Sequence, residues 1–109
     1  MRGVWGMETD KSAIVVKVHE TAGGTVIGAC DTHLVGKKLV EKGLRIEISK
    51  EFYFERHASE EELVEIIETC MTANIVGEKA VESYCRKNPD ARGAVRKIGG
   101  VPHLQVFRI

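Results

Sequence analysis

The sequence predicts an α+β fold: a mostly antiparallel sheet with helices packed on one face. Three observations carry this expectation. Two β-branched runs flank a Gly-Gly turn at residues 21–24, as in a hairpin. Ser59-Glu60-Glu61-Glu62 opens an amphipathic helix. The elements follow one another without the regular strand–helix–strand alternation of a parallel sheet, which favours antiparallel pairing.

Each element has its own signal. Residues 13–18 (Ala-Ile-Val-Val-Lys-Val) form a continuous apolar run, as a buried strand does. Residues 25–29 return, and Gly28 within them marks a bulge or a close backbone approach. Asp31 can cap a short helix in which Leu34, Val35, Leu39 and Val40 fall at helical spacing and Gly43 is the stop. Residues 44–48 alternate apolar and charged side chains, the pattern of a half-buried strand. In the helix from Ser59, Leu63, Ile66, Ile67, Cys70 and Met71 make the apolar stripe, and the glutamates of its first turn suit the helix dipole. Thr72-Ala73-Asn74 reads as a break, with Asn74 capping a second helix over residues 75–86 that Asn88-Pro89-Asp90 ends. Two strands close the chain, at 94–98 and 104–107, joined by Gly99-Gly100-Val101-Pro102.

The 109 residues suit one domain, here 13–109 behind a flexible lead-in at 1–12. A chain of this size and 43% apolar content builds a core without metal or disulfide. Three cysteines, Cys30, Cys70 and Cys85, are an odd number without regular spacing, which argues for free thiols and a cytoplasmic setting. No apolar run reaches the ~18 residues of a membrane span, and 1–12 lacks a signal peptide's apolar region. Asn74, Asn88 and Gln105 are the only amide side chains, as in heat-adapted proteins.

Net charge is zero, from 16 basic and 16 acidic residues, but the charges are segregated. Residues 47–68 hold eight Glu against Lys50 and Arg56, whereas 85–109 hold Arg86, Lys87, Arg92, Arg96, Lys97 and Arg108 against Asp90. One acidic and one basic face are expected.

Four places hold chemistry-bearing side chains. Cys30-Asp31-Thr32-His33 stands where a strand meets the expected helix; a thiol there would be a lowered-pKa nucleophile, or simply a core thiol beside an Asp cap. Cys30 and His33 supply only two metal ligands, so no metal is expected, and no cofactor. Gly36-Lys37-Lys38 is not a phosphate-binding P-loop, because position 31 is Asp and no Ser or Thr follows Lys37. In Asn74-Ile75-Val76-Gly77-Glu78 the glycine allows tight packing or backbone access. Gly99-Gly100-Val101-Pro102-His103 combines exposed amides with a histidine able to exchange a proton near neutral pH, or is a plain hairpin turn.

These segments together resemble the small archaeal family known as domain of unknown function 424. The resemblance rests on Cys30-Asp31, Gly36-Lys37, Asn74-Ile75-Val76-Gly77-Glu78 and Gly99-Gly100-Val101-Pro102-His103, and extends over about residues 14–109. It implies an archaeal, cytosolic protein and names no reaction.

Two functions of different kinds follow. The first is a non-enzymatic module binding RNA or a ribonucleoprotein, through Lys38, Lys42, Arg45, Arg92, Arg96 and Lys97. The second is an enzyme or binding protein for a small anion, with Cys30, Asp31, Lys37, Asn74, Gly99, Gly100 and His103 around one cleft. An assembly subunit, for instance a homodimer, is the third. No membrane partner is expected.

Overall fold

A computed structural model describes residues 13–108; the expected lead-in at 1–12 lies outside them. β1 (Ile14–Thr21) and β2 (Gly24–Asp31) form the expected hairpin, paired from Ile14↔Asp31 to Thr21↔Gly24. A 3₁₀ turn at Thr32–Leu34 leads to β3 (Lys38–Glu41) and β4 (Leu44–Glu47), a separate two-stranded sheet. Then come a one-turn helix α1 (Lys50–Tyr53), a two-residue strand β5 (Arg56–His57) and α2 (Glu60–Glu68). β6 (Thr72–Val76), α3 (Glu78–Lys87), a 3₁₀ segment Pro89–Ala94, β7 (Arg96–Ile98) and β8 (Val101–Phe107) complete the chain.

Among the described residues the main sheet has six strands in the order β5-β1-β2-β6-β8-β7. Every pairing is antiparallel except β2 with β6, so the expected α+β class holds. α2 and α3 lie on one face, packed on Ile14, Val16, Ile27, Ala29, Ala73, Ile75 and Leu104. The β3–β4 hairpin and α1 lie on the other, packed on Val15, Cys30, Val76 and Ile98. Side-chain alternation along β1 explains the double burial: Ile14 and Val16 face the helices, Val15 faces the hairpin, and all three are 0% exposed.

Two local readings are corrected. Beyond the 3₁₀ turn that ends at Leu34, residues 35–43 are not helical. Lys42 (φ 49°) and Gly43 (φ 88°) both take positive φ, the signature of a two-residue hairpin turn, and Leu39 and Ile46 point inward opposite each other. The spacing of Leu34, Val35, Leu39 and Val40 imitated a helix because a turn and a strand happened to abut. Residues 72–76 are not a break followed by a helix: they are β6, the central strand, with Ala73, Ile75 and Val76 fully buried. β-branched residues at 75 and 76 fit a pleated, two-sided core, and the helix starts only after Gly77. Asn74 therefore caps no helix. The strand expected at 94–98 starts at Arg96, because 89–94 is 3₁₀.

Candidate functional site

Asp31 is the last residue of β2 and is 4% exposed. Its carboxylate accepts from the backbone N–H of Ala80 (2.8 Å) and of Lys79 (3.0 Å), in the first turn of α3. Gly77 occupies that helix's N-cap position at φ 113° and has no side chain to cap with. A Cβ at Gly77 would overlap the Asp31 carboxyl. The missing cap is thus supplied from a strand far away in sequence, and glycine leaves room for it. Asp31 caps α3, not the helix expected immediately after it.

Cys30 precedes Asp31 and points to the opposite face, into the apolar layer under the hairpin. Burial, with the Asp31 charge adding to it, pushes its thiol up to about 12. That is the reverse of a helix-activated thiolate, so Cys30 is chemically quiet. Tyr53 beside it is likewise pushed up to about 12 by burial and then by Cys30. Cys70 and Cys85 are also buried and free. Among the described residues no three His, Cys, Asp or Glu side chains gather as a metal site would require.

The pairings Cys30↔Val76 and Val76↔His103 put Cys30, Val76 and His103 in one row across the sheet. Two strand spacings, about 10 Å, separate Cys30 from His103. Val76 stands between them, so the two do not touch. Asn74 lies on the same face one pleat along, and its Oδ1 accepts from Gln105 Nε2 at 2.9 Å. Burial first, then the facing Arg96 charge, lowers the His103 pKa below its usual 6.5. Asp31, on the other face, does not orient this imidazole. Lys37 sits at the base of the hairpin, its carbonyl accepting from Ile48 N–H. Gly99 sits at the hairpin's far end, its N–H donating to Glu41 Oε1 at 2.7 Å. A carboxylate therefore occupies the place on the Gly99-Gly100 turn where an anion would bind. Of the seven residues proposed for one cleft, the fold brings Cys30, Asn74 and His103 onto one face and leaves Asp31, Lys37 and the glycine turn apart.

The basic residues also divide. Arg92 grips Glu82 with two parallel bonds of 2.8 and 3.0 Å on the helix side. Lys97 lies on that side too, in the groove beside α3. Arg96 lies across β7 from it, opposite His103. Lys38, Lys42 and Arg45 are exposed on the hairpin.

Along the hairpin side of the main sheet, alternation displays Val15, Lys17 and His19 of β1; Val26, Gly28 and Cys30 of β2; Thr72, Asn74 and Val76 of β6; His103, Gln105 and Phe107 of β8; and Arg96 and Ile98 of β7. No Asp or Glu stands among them. The hairpin and α1 cover Val15, Cys30, Val76 and Ile98, and Phe52 fills the space above Gly28. The remainder is not covered by them: exposed Gln105 and Arg96, half-buried Thr72, Asn74 and His103, and Phe107, which is 65% exposed. At the border His19 stacks on Phe52 with ring centroids 4.7 Å apart, and its Nε2 lies 2.9 Å from the Phe52 carbonyl oxygen. Lys17, His19 and Phe107 were not singled out in the sequence. The signal was present: His103, Gln105 and Phe107 recur every second residue, which places them on one side of a strand.

Residues 19–109 match the family model described as Protein of unknown function (DUF424). The chain belongs to that family. A comparison with curated proteins gives no match. The DUF424 chain also resembles a crystal structure of an uncharacterized conserved protein from Methanopyrus kandleri. The TM-score is 0.71 at 24% identity, over 88% of this chain and 94% of that one. At that identity the likeness speaks for the fold alone. The segments that carried the family resemblance now have places. Cys30-Asp31 and Val76-Gly77-Glu78 form the strand-to-helix clasp, Gly36-Lys37 enters the hairpin, and Gly99-Gly100 turns β7 into β8. Among the described residues no helix is long and apolar enough to cross a membrane.

Proposed function

We propose that this DUF424 protein is a cytosolic, non-enzymatic module that binds single-stranded RNA on the bare part of its main sheet. The observation that carries the reading is the composition of that face. In a chain with 16 acidic residues, the strands place none there. They place instead Lys17 and Arg96 for phosphates, exposed Phe107 for stacking, and the Asn74–Gln105 amide pair and His103 for base edges. Single-stranded RNA is read by that mixture: aromatic faces under splayed bases, amides on their edges, and cations along the backbone. Five of the eight Glu in residues 47–68 belong to α2, across the sheet, while Glu47 of β4 and Glu51 of α1 stand on the elements that border this face.

Fluorescence anisotropy with short single-stranded RNA at low salt tests the reading. Phe107→Ala is expected to weaken binding by about 1–3 kcal/mol if a base stacks there. Absence of saturable binding, or binding that Phe107→Ala and Arg96→Ala both leave unchanged, would overturn it.

A further inference from the structure

The helix side of the molecule holds a groove of about 700 Å³ between α3 and β7, away from the face assigned to RNA. Its size lies within the range of small-ligand pockets, about 300–1,000 Å³. Val81, Val95 and Pro102 give it an apolar floor. Lys79 of α3 and Lys97 of β7 stand on opposite walls; both are exposed, and neither has an ion-pair partner among the described residues. Two of the three acids lining the groove are engaged, and the third, exposed Glu78, leaves the balance of unpaired charge positive, one carboxylate against Lys79 and Lys97. Asp31 accepts from two amides, and Glu82 is held between Arg92 at 2.8 Å and Arg86 at 3.6 Å. Two unpaired ammonium groups across an apolar floor suit an anion that carries an apolar body, rather than a bare inorganic ion.

The geometry points to this groove as a binding site for a small phosphomonoester of nucleotide size, its phosphate between Lys79 and Lys97 and its apolar body on Val81, Val95 and Pro102. This groove is a different place from the small-anion cleft expected around Cys30, Asp31, Lys37, Asn74, Gly99, Gly100 and His103; of those residues it is lined only by Asp31. Arg92 does not need to leave Glu82 for the ligand to bind, because the two lysines already supply the charge.

Adenosine 5′-monophosphate is a suitable probe, with adenosine and inorganic phosphate as its two halves. Titration followed by backbone amide NMR should shift the signals of Lys79, Glu82, Val95 and Lys97 saturably, with either half binding more weakly than the whole. Replacing both lysines by Ala should weaken binding by about tenfold per ammonium lost, as expected for hydrogen bonds to charged groups. Both side chains are exposed, so the variant should melt like the parent. Phe107→Ala should leave this titration unchanged, which separates the site from the RNA face. The proposal is overturned by shifts confined to Asn74, Gln105 and Phe107, by no saturation into the millimolar range, or by unaltered affinity in the double variant. Inorganic phosphate binding as tightly as the nucleotide would overturn the role of the apolar floor.

Discussion

At the scale of single residues the chain shows how one carboxylate can be committed to architecture. Asp31 supplies the cap that Gly77 cannot, and Gly77 gives it the space. Asp31→Ala is expected to cost about 1–3 kcal/mol in urea unfolding, because one buried and one half-buried N–H group lose a charged acceptor. Gly77→Ala should destabilise as well, since alanine resists φ 113° and its methyl meets Asp31. Wild-type stability in either variant would show that the clasp does little. Cys30 is equally structural. Ellman's reagent added to the native protein should leave all three thiols unreacted until unfolding, since all are buried. His103 gives a pH effect of definite sign. Its folded pKa is depressed below 6.5, so the unfolded chain binds the proton more readily. Stability should therefore fall as pH drops through 6.5 toward the folded pKa, and should be insensitive to this group above 6.5. Arg96→Ala removes one of the two causes and should raise the His103 pKa, which imidazole NMR signals would report. An unchanged or lowered value would refute the pairing.

At the scale of elements, α2 was legible to the residue at its start because its signals are local. Ser59 Oγ accepts from the Glu62 N–H, and Glu62 Oε1 accepts from the Ser59 N–H at 2.8 Å. Ser59→Ala should cost about 1 kcal/mol. Ile67→Ala should cost about 2–5 kcal/mol because the side chain is 0% exposed, and Ile66→Ala distinctly less because it is only half-buried. Equal losses for the two isoleucines would mean that the helix is rotated from the orientation described. β6 was not legible for the opposite reason. Thr72-Ala73-Asn74 carries weak strand preference, and what makes it a strand is a parallel partner, β2, more than forty residues earlier. The β3–β4 hairpin was missed at Lys42-Gly43: glycine after a helical-looking run reads as a helix stop, yet positive φ at both residues makes a hairpin turn. The bond from Asp31 to α3 had no local signal, since its partners lie 48 and 49 residues away.

At the scale of the molecule, the segregation of charge was visible in the sequence, but its partition between faces was not. Arg92, Arg96 and Lys97 are near neighbours in the chain and suggested a single basic face. Strand alternation sends Arg96 to the hairpin side and Lys97 to the helix side, where the 3₁₀ segment also carries Arg92 and Glu82 neutralises it. This division makes the RNA reading discriminating, because sequence neighbours of the same charge should behave differently. For single strands each neutralised phosphate contributes about −0.7 to the slope of log affinity against log salt. Replacing Lys17 and Arg96 by Ala should therefore flatten that slope by about 1.4, if each holds one phosphate. Replacing Arg92 by Ala should leave the slope where it was, since its charge is paired and on the far side of the sheet. Anisotropy titrations at four or five salt concentrations would separate the two results. A slope altered equally by both substitutions would mean that RNA is held by diffuse charge and that the bare sheet has no special part in it.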